Sequence, residues 1–191
     1  EVARAIGLRH GPREQRERLQ AAARVELEHA IGEERVRRAY RVARLLGELG
    51  FDVRMMSAGV FNADGVAGPP FDHMCLRVIT EDGPWLSDVG FGRTALRPLP
   101  LHASEKIDDP VGNFRLRVAD ETRDGFGPPV WSLAREAPGN PRSGEDGWMP
   151  LYDFDTGERS VADFRPMCSF HQRSPDSIFP RRLIVSRAID G

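Results

Sequence analysis

The hydrophobic period of this chain changes at Gly50, and that change constrains its fold more than any other feature. Before Gly50, from about Pro12, the pattern is helical and rich in charge. Apolar side chains recur there at steps of three and four residues, which predicts one buried helix face. Its members are Val36, Ala39, Tyr40, Ala43, Leu46 and Leu49. Gly50 itself stands where helices usually end on a residue of positive φ.

After Gly50 the apolar residues alternate with a period of two, which is typical of half-buried strands. Segments rich in glycine, proline and aspartate separate the strands, and a succession of short strands predicts a small barrel or sandwich. The predicted strands are 51–56, 73–79, 84–91, 114–120, 130–136 and 149–154. By composition, 138–147 is a hairpin loop, and a loop-like stretch from Val161 leads to an apolar run at 183–188.

These patterns predict an α+β fold in three parts. We expect a helical N-terminal domain over residues 1–50 and an antiparallel β-barrel domain over 51–158. Residues 159–191 are expected to begin a third, mixed α/β lid domain. The apolar run at 183–188 has almost nothing after it to pair with, so we expect that third domain to be truncated.

Composition and charge exclude several functional classes. The 191 residues carry a formal net charge of −2, which gives no bulk attraction to nucleic acid or to an anionic membrane. No apolar run approaches the roughly 20 residues of a membrane span, and no secretory leader is apparent. Two cysteines are too few for a disulfide scaffold and have no zinc-binding spacing. The expectation is a cytoplasmic protein without metal.

His73 and Asp88 are the first candidates for chemistry, since one opens a predicted strand and the other closes the next. We expect the register in which they face each other, with Gly83 in a wide loop. A turn centred on Asp82-Gly83 would instead place Asp88 opposite Arg77, yet on the same face as His73. A carboxylate on Nδ1 would leave Nε2 as a base for a nucleophile. The alternative is an ordinary, hydrogen-bonded structural histidine.

The segment after the carboxylate strengthens the catalytic interpretation. Residues 88–92 read DVGFG, in which glycines permit close approach of the backbone to a ligand and Phe91 offers an apolar wall. Together with His73 and Leu76, this segment resembles the central region of the arylamine N-acetyltransferases. Four further segments resemble landmarks of that family in the same order, and the likeness covers about 42–191. They are 45–53, 98–101, 151–154 and 174–179.

The resemblance implies a cysteine-protease-like superfamily fold and ping-pong acyl transfer. A family cysteine takes acetyl from acetyl-CoA, a co-substrate and not a bound cofactor, and an arylamine, hydrazine or hydroxylamine removes it. The family's roles imply that His73 activates the thiol and that Asp88 orients His73. The acceptor pocket would be lined by Phe91, Gly92, Val60 and Phe61. No nucleic-acid or membrane partner is implied.

The family's Arg-Gly-Gly-x-Cys segment is missing. The family's spacing places the nucleophile sixteen residues before Phe51, where this chain has Arg35. A guanidinium is not a nucleophile, and beside His73 it would oppose formation of imidazolium. Cys75 lies on the same strand face as His73, but a thiol there packs well as a small hydrophobe. Cys168 stands where the family often has asparagine, and we interpret it too as a packed side chain rather than a nucleophile.

Several hypotheses therefore stay open. The chain is an acyl-CoA-dependent N-acetyltransferase, a family relative whose site is completed outside these residues, or an amide synthase of secondary metabolism on the same scaffold. Alternatively, it is a non-catalytic homologue that binds a small aromatic molecule, CoA or a protein partner, as Arg35 suggests. Lost catalysis, a diverged N-terminal third and residues missing from the sequence would each explain the absent cysteine motif. A generic all-β binding domain is disfavoured because it ignores the site motifs.

Overall fold

The computed structural model describes residues 33–92, 94–120 and 128–181. A helix, α1, precedes eight strands, and a second helix, α2, follows them. The elements are α1 (Glu33–Glu48), β1 (Asp52–Val60), β2 (His73–Thr80), β3 (Gly83–Ser87), β4 (Leu99–Pro100), β5 (Ser104–Asp109), β6 (Gly112–Asp120), β7 (Val130–Glu136), β8 (Trp148–Asp155) and α2 (Arg165–Arg173), with 3-10 turns at Val161–Phe164 and Phe179–Arg181.

Helix α1 ends as the sequence predicts. Gly50 has φ +91°, and its N–H donates to the carbonyl of Gly47 at 3.0 Å. The N–H of Phe51 donates to the carbonyl of Leu46 at 3.0 Å, so the two bonds together form a Schellman motif. Leu46 and Ala39 are buried, as the predicted apolar face requires. The part of the predicted helix before Glu33 lies outside the described residues.

The eight strands form one antiparallel sheet that curls around a single core. Their order is β4-β3-β2-β1-β8-β7-β6-β5. Asp109, at the end of β5, accepts hydrogen bonds from the N–H groups of Leu96 and Arg97 at 3.1 and 3.0 Å, just before β4. This links the two edges, so the sheet is a nearly closed barrel. Its core is formed by Met56, Ala58, Cys75, Leu86, Leu99, Leu101, Phe114, Leu116, Leu133, Leu151, Tyr152 and Phe154.

A second apolar cluster holds the helices against the outer face of the barrel. Ala39 of α1, Met74 of β2 and Phe164 are fully buried in it. Burying a side chain such as Met74 stabilises the fold by about 1.5–3 kcal/mol. Strand β2 is therefore fixed on both faces, by the barrel core inside and by the helices outside. Within the described residues, neither helix has the length and apolar character that crossing a membrane requires.

The prediction of a helix followed by an antiparallel barrel is confirmed, with differences in detail. β4 and β5 were not predicted, because β4 has two residues and β5 is mostly charged. The predicted strand 84–91 ends at Ser87, and the predicted loop after Val161 is a 3-10 turn followed by α2. The predicted hairpin loop 138–147 joins β7 to β8. The run 183–188 lies outside the described residues, and the domain limits at 50 and 158 stay predictions.

Candidate active site

The register between β2 and β3 decides how the candidate residues meet. Leu76 pairs with Ser87 and Thr80 pairs with Gly83, so the turn has only two central residues, 81 and 82. Neither predicted register is correct. Continued by one residue, this register puts Asp88 opposite Cys75, so Asp88 is a diagonal neighbour of His73, two residues away from the position directly opposite it. Both side chains still share one face, because the period-two pattern preserves the face whenever the register shifts by an even number.

His73 and Asp88 are in direct contact. Nε2 of His73 lies 2.9 Å from Oδ2 of Asp88, and the two side chains are only 5% and 4% exposed. The second carboxylate oxygen, Oδ1, accepts hydrogen bonds from the backbone N–H groups of Gly90 and Phe91 at 3.0 and 3.2 Å. The DVGFG segment thus folds back to clamp its own carboxylate. Three donors converge on Asp88 in a site with very little access to water.

The nitrogen that meets the carboxylate is the reverse of the prediction. We predicted Asp88 on Nδ1, but the contact is to Nε2. A diagonal neighbour across two strands is farther away than a directly opposed one, and the far nitrogen of the ring spans that distance. With Nε2 donating to the carboxylate, Nδ1 is the nitrogen left to accept a proton.

The electrostatic balance keeps Asp88 charged. Burial acts to raise the pKa of Asp88, but the charge of His73 and the hydrogen bonds from His73 and Gly90 outweigh it and hold the pKa below its ordinary value. A charged Asp88 can only accept a hydrogen bond, so it holds the proton of the His73 ring on Nε2. The pair therefore has the electrostatics of a base with its orienting carboxylate.

Two aromatic rings enclose the imidazole. The ring centroids of Phe91 and Tyr152 each lie 5.4 Å from that of His73, and they lie 5.2 Å from each other. Burial, with the charge of Asp88, raises the pKa of Tyr152 well above its ordinary value, so the phenol stays neutral. Its hydroxyl is buried near Asp88 and has no regular hydrogen bond within the described residues. Tyr152 was missed as a site residue, although it belongs to the landmark 151–154.

Of the four predicted acceptor-pocket residues, the structure places Phe91 in contact with His73. Val60 packs against the same barrel core as Phe91. The backbone of Phe61 pairs with two neighbouring segments, since its N–H donates to the carbonyl of Leu151 at 3.0 Å and it forms a bridge with Ala67. Gly92 has φ +96°, a conformation that favours glycine. The pocket role of these four residues stays a prediction.

Neither cysteine is placed to act as the nucleophile. Cys75 is fully buried in the barrel core, and burial raises the pKa of its thiol well above the ordinary value, with the charges of Asp88 and Asp155 adding to the effect. Cys168 packs in the outer cluster with Met74, on the opposite face of β2 from His73. Within the ranges that the structure describes, His, Cys, Asp and Glu form no group able to hold a metal ion.

The position that the family's spacing assigns to the nucleophile lies in the first turn of α1. Arg35 is the third residue of that helix. Backbone N–H groups at a helix N-terminus favour negative charge, so a thiol in this turn would have a lowered pKa. The helix geometry suits a thiolate at a position where this chain has arginine.

Comparison with known proteins gives a consistent result. A family profile described as N-acetyltransferase matches residues 39–191. The chain is 30% identical over 145 residues to an arylamine N-acetyltransferase / N-hydroxyarylamine O-acetyltransferase of Salmonella typhimurium, covering 75% of this chain and 46% of that protein. It also resembles the arylamine N-acetyltransferase of Mycobacterium abscessus, with a TM-score of 0.62 and 28% identity over 74% of this chain and 49% of that one.

A further similar structure is that of the Mycobacterium marinum arylamine N-acetyltransferase in complex with CoA. Its TM-score is 0.58 at 27% identity, covering 74% of this chain and 50% of that one. The present chain thus spans about half the length of the relatives that it matches.

Proposed function

This chain belongs to the arylamine N-acetyltransferase family, and we propose that His73 is the general base of an acyl-transfer site and Asp88 its orienting carboxylate. The proposed reaction is transfer of an acyl group from acetyl-CoA to an arylamine, hydrazine or hydroxylamine. The observation that supports this most strongly is the buried contact of 2.9 Å between Nε2 of His73 and Oδ2 of Asp88. It fixes the tautomer of the ring and leaves Nδ1 as the basic atom.

The chemistry follows from that tautomer. Nδ1 of His73 accepts the proton of a thiol, and the thiolate attacks the acetyl carbonyl of acetyl-CoA. The bond from carbonyl carbon to the CoA sulfur breaks, and the departing sulfur takes a proton from the imidazolium. The amine then attacks the new thioester and gives a proton to Nδ1, from which the released thiolate recovers it. Asp88 stabilises each imidazolium stage through Nε2.

The thiol belongs at position 35. There it would combine the field of the α1 N-terminus with proton acceptance by His73, and both lower the pKa of a thiol. This chain supplies the base and its carboxylate, whereas Arg35 occupies the nucleophile's position. On its own residues the chain therefore lacks an acyl acceptor for the first half-reaction.

Arg35 also favours a second candidate, a non-catalytic homologue that binds CoA. A guanidinium makes charge-assisted, bidentate contacts with phosphate oxygens, and CoA carries several phosphate groups. In this function Arg35 would contribute to binding, while the His73–Asp88 pair would hold the DVGFG segment in shape. The two candidates differ in what happens when the arginine is replaced.

Arg35→Cys tests the proposed function directly. The variant should become acetylated when incubated with acetyl-CoA, seen as one added acetyl group in the intact mass. It should also release free CoA thiol when an arylhydrazine is present. Adding His73→Gln should reduce the rate by about 10²–10⁴-fold, the usual contribution of a general base. The matched control is Arg37→Cys, an exposed arginine two residues farther along the same helix.

The two candidates predict opposite results. A folded Arg35→Cys protein that acetylates no faster than Arg37→Cys would contradict the acyl-transfer function. Binding of CoA by the unmodified chain, measured by calorimetry and weakened by Arg35→Cys without any acetylation, would establish the second candidate instead.

A further inference from the structure

The short turn that leads into His73 has a conformation that an ordinary side chain rarely adopts. Phe71 has φ +68°, in the left-handed region that is sparsely populated by bulky residues. Such a conformation persists only where the surroundings enforce it, and it is concentrated at functional sites. What holds this turn therefore also sets the position of His73, two residues later.

Three contacts hold Phe71. Its N–H donates to Oγ of Ser57 at 2.8 Å, and Ser57 is completely buried on β1. Its ring meets the ring of Phe164 edge-on, with centroids 5.3 Å apart. On another side, the guanidinium carbon of Arg159 lies 5.7 Å from the ring centroid. Phe71 is thus tied both to the barrel and to the segment after β8.

Asp72, directly before His73, makes a separate link. Its Oδ2 accepts a hydrogen bond from the N–H of Val60 at 3.2 Å, which ties it to the end of β1. Its Oδ1 lies 2.8 Å from Nε2 of His171 on α2. The N–H of His171 is not aligned with this oxygen, so the two side chains are in close polar contact rather than in a regular hydrogen bond. The Asp72 and His171 side chains are 18% and 14% exposed, so water screens the pair only weakly.

The loop that leads to Asp72 packs closely against β1. A Cβ on Gly68 would lie 3.0 Å from Oδ2 of Asp72, and a Cβ on Gly59 would lie 2.3 Å from the carbonyl oxygen of Gly68. The loop backbone is therefore pressed against β1 as closely as glycine allows. Asp72 therefore lies at a closely packed junction between this loop and β1.

His171 is fixed from its own side. Its ring meets Phe179 edge-on at 4.8 Å, and its carbonyl accepts a hydrogen bond from the buried Ser177 hydroxyl at 3.2 Å. The same helix contributes Cys168 to the outer cluster, where Met74 of β2 is buried. Helix α2 therefore reaches the strand that carries the imidazole both by packing and by the contact between His171 and Asp72.

We propose that Asp72 is a positioning residue for His73 and that His171 of α2 is its partner. The pair fixes the backbone from which the imidazole projects, so that Nε2 of His73 meets Asp88. Its use in acyl transfer rests on the proposed function, but the placement of the ring is measurable without turnover.

The test uses Asp72→Asn and His171→Gln in the whole chain, with Asp82→Asn and His102→Gln as exposed controls. Imidazole ¹H–¹⁵N NMR gives the rate at which the Nε2 proton of His73 exchanges with water. We expect both test variants to exchange at least about tenfold faster than the controls, because a buried polar group left without its partner costs enough free energy to shift the local opening equilibrium by about that factor. The double variant should be no faster than either single variant, because the two residues act through one contact.

The outcomes separate this proposal from the proposed function. In the Arg35→Cys background, the two variants should lower kcat and leave KM for acetyl-CoA unchanged. Altered His73 exchange together with an inactive Arg35→Cys protein would contradict only the acyl-transfer function. If Asp72→Asn does not fold, His171→Gln alone tests the positioning role, because it leaves the hydrogen bond from the Val60 N–H to Asp72 intact. Unchanged exchange in a folded His171→Gln protein, or loss of folding in both variants, would overturn the positioning role.

Discussion

Replacing Asp88 by asparagine isolates the contribution of its charge. The amide has nearly the same shape, and its oxygen can still accept the N–H groups of Gly90 and Phe91. Its NH₂ group would then face Nε2 of His73, 2.9 Å away, where two donors would meet. The proton of the ring should therefore move from Nε2 to Nδ1. That move blocks the nitrogen that the proposed mechanism uses as a base.

The energetic cost follows from the burial of the pair. His73 and Asp88 are 5% and 4% exposed, so solvent does little to screen the charge-assisted hydrogen bond that Asp88→Asn removes. Such bonds contribute about 1.5–3 kcal/mol to the free energy of unfolding. Because the pKa of Asp88 is lowered on folding, this contribution is present above the unfolded carboxyl pKa of about 3.9 and is lost as the pH falls through the folded value.

Two measurements check this expectation. Imidazole ¹⁵N shifts report which nitrogen of His73 carries the proton, and urea denaturation at pH 7 and pH 3 gives the free energy of unfolding. The difference between wild type and Asp88→Asn should shrink at the lower pH. In the Arg35→Cys background, turnover should fall steeply, since the corresponding change in a serine protease triad costs about 10⁴-fold.

The matched control is Asp109→Asn. Asp109 accepts backbone N–H groups from Leu96, Arg97 and Val111 and therefore tests the loss of a capping carboxylate without a histidine. It should leave the His73 tautomer unchanged. A protonated Nε2 in Asp88→Asn, with a free energy of unfolding within about 0.5 kcal/mol of wild type, would refute the reasoning, because changes that small are ordinary for surface substitutions.

Two further predictions concern packing and thiol reactivity. Gly59→Ala should lower the free energy of unfolding by about 1–3 kcal/mol, because its Cβ would lie 2.3 Å from the carbonyl oxygen of Gly68. Gly47→Ala, in an open helical position, should raise the free energy of unfolding by about 0.5–1 kcal/mol in the same urea denaturation assay. With iodoacetamide and peptide mass mapping, native protein should be alkylated at Cys168 well before Cys75, whose buried thiol has a raised pKa; equal rates would contradict the assigned burial.

The parts of the fold that were predictable from sequence are those that local pattern determines. The end of α1 follows from a glycine after the last apolar position, and the period of two assigns His73 and Asp88 to one face whatever the even shift in register. β5 could not be predicted, because SEKIDD has no alternating apolar face and its pairing with β6 is what makes it a strand. Helix α2 was likewise missed, since its nine residues are too few to show a clear helical period.

The details of the site depended on distances that local pattern does not contain. Which imidazole nitrogen meets Asp88 follows from a two-residue turn at 81–82, and the sequence also allowed a wider loop there. Tyr152 and His171 reach the site from β8 and α2, far along the chain, after the whole barrel has closed. A short sequence window gives no signal for such contacts, although the landmark 151–154 marked the right strand.

The presence of His73 and Asp88 in a chain that has arginine at position 35 has a physical reason apart from catalysis. Removing His73 would leave the charged carboxylate of Asp88 buried without its partner, and breaking a buried pair in this way typically costs about 3–5 kcal/mol. Asp88 also holds the backbone of Gly90 and Phe91, so its loss would disturb the DVGFG segment. The pair would thus be retained for folding even in a homologue without turnover. Position 35, rather than the His73–Asp88 pair, is therefore the position at which the two candidate functions make opposite predictions.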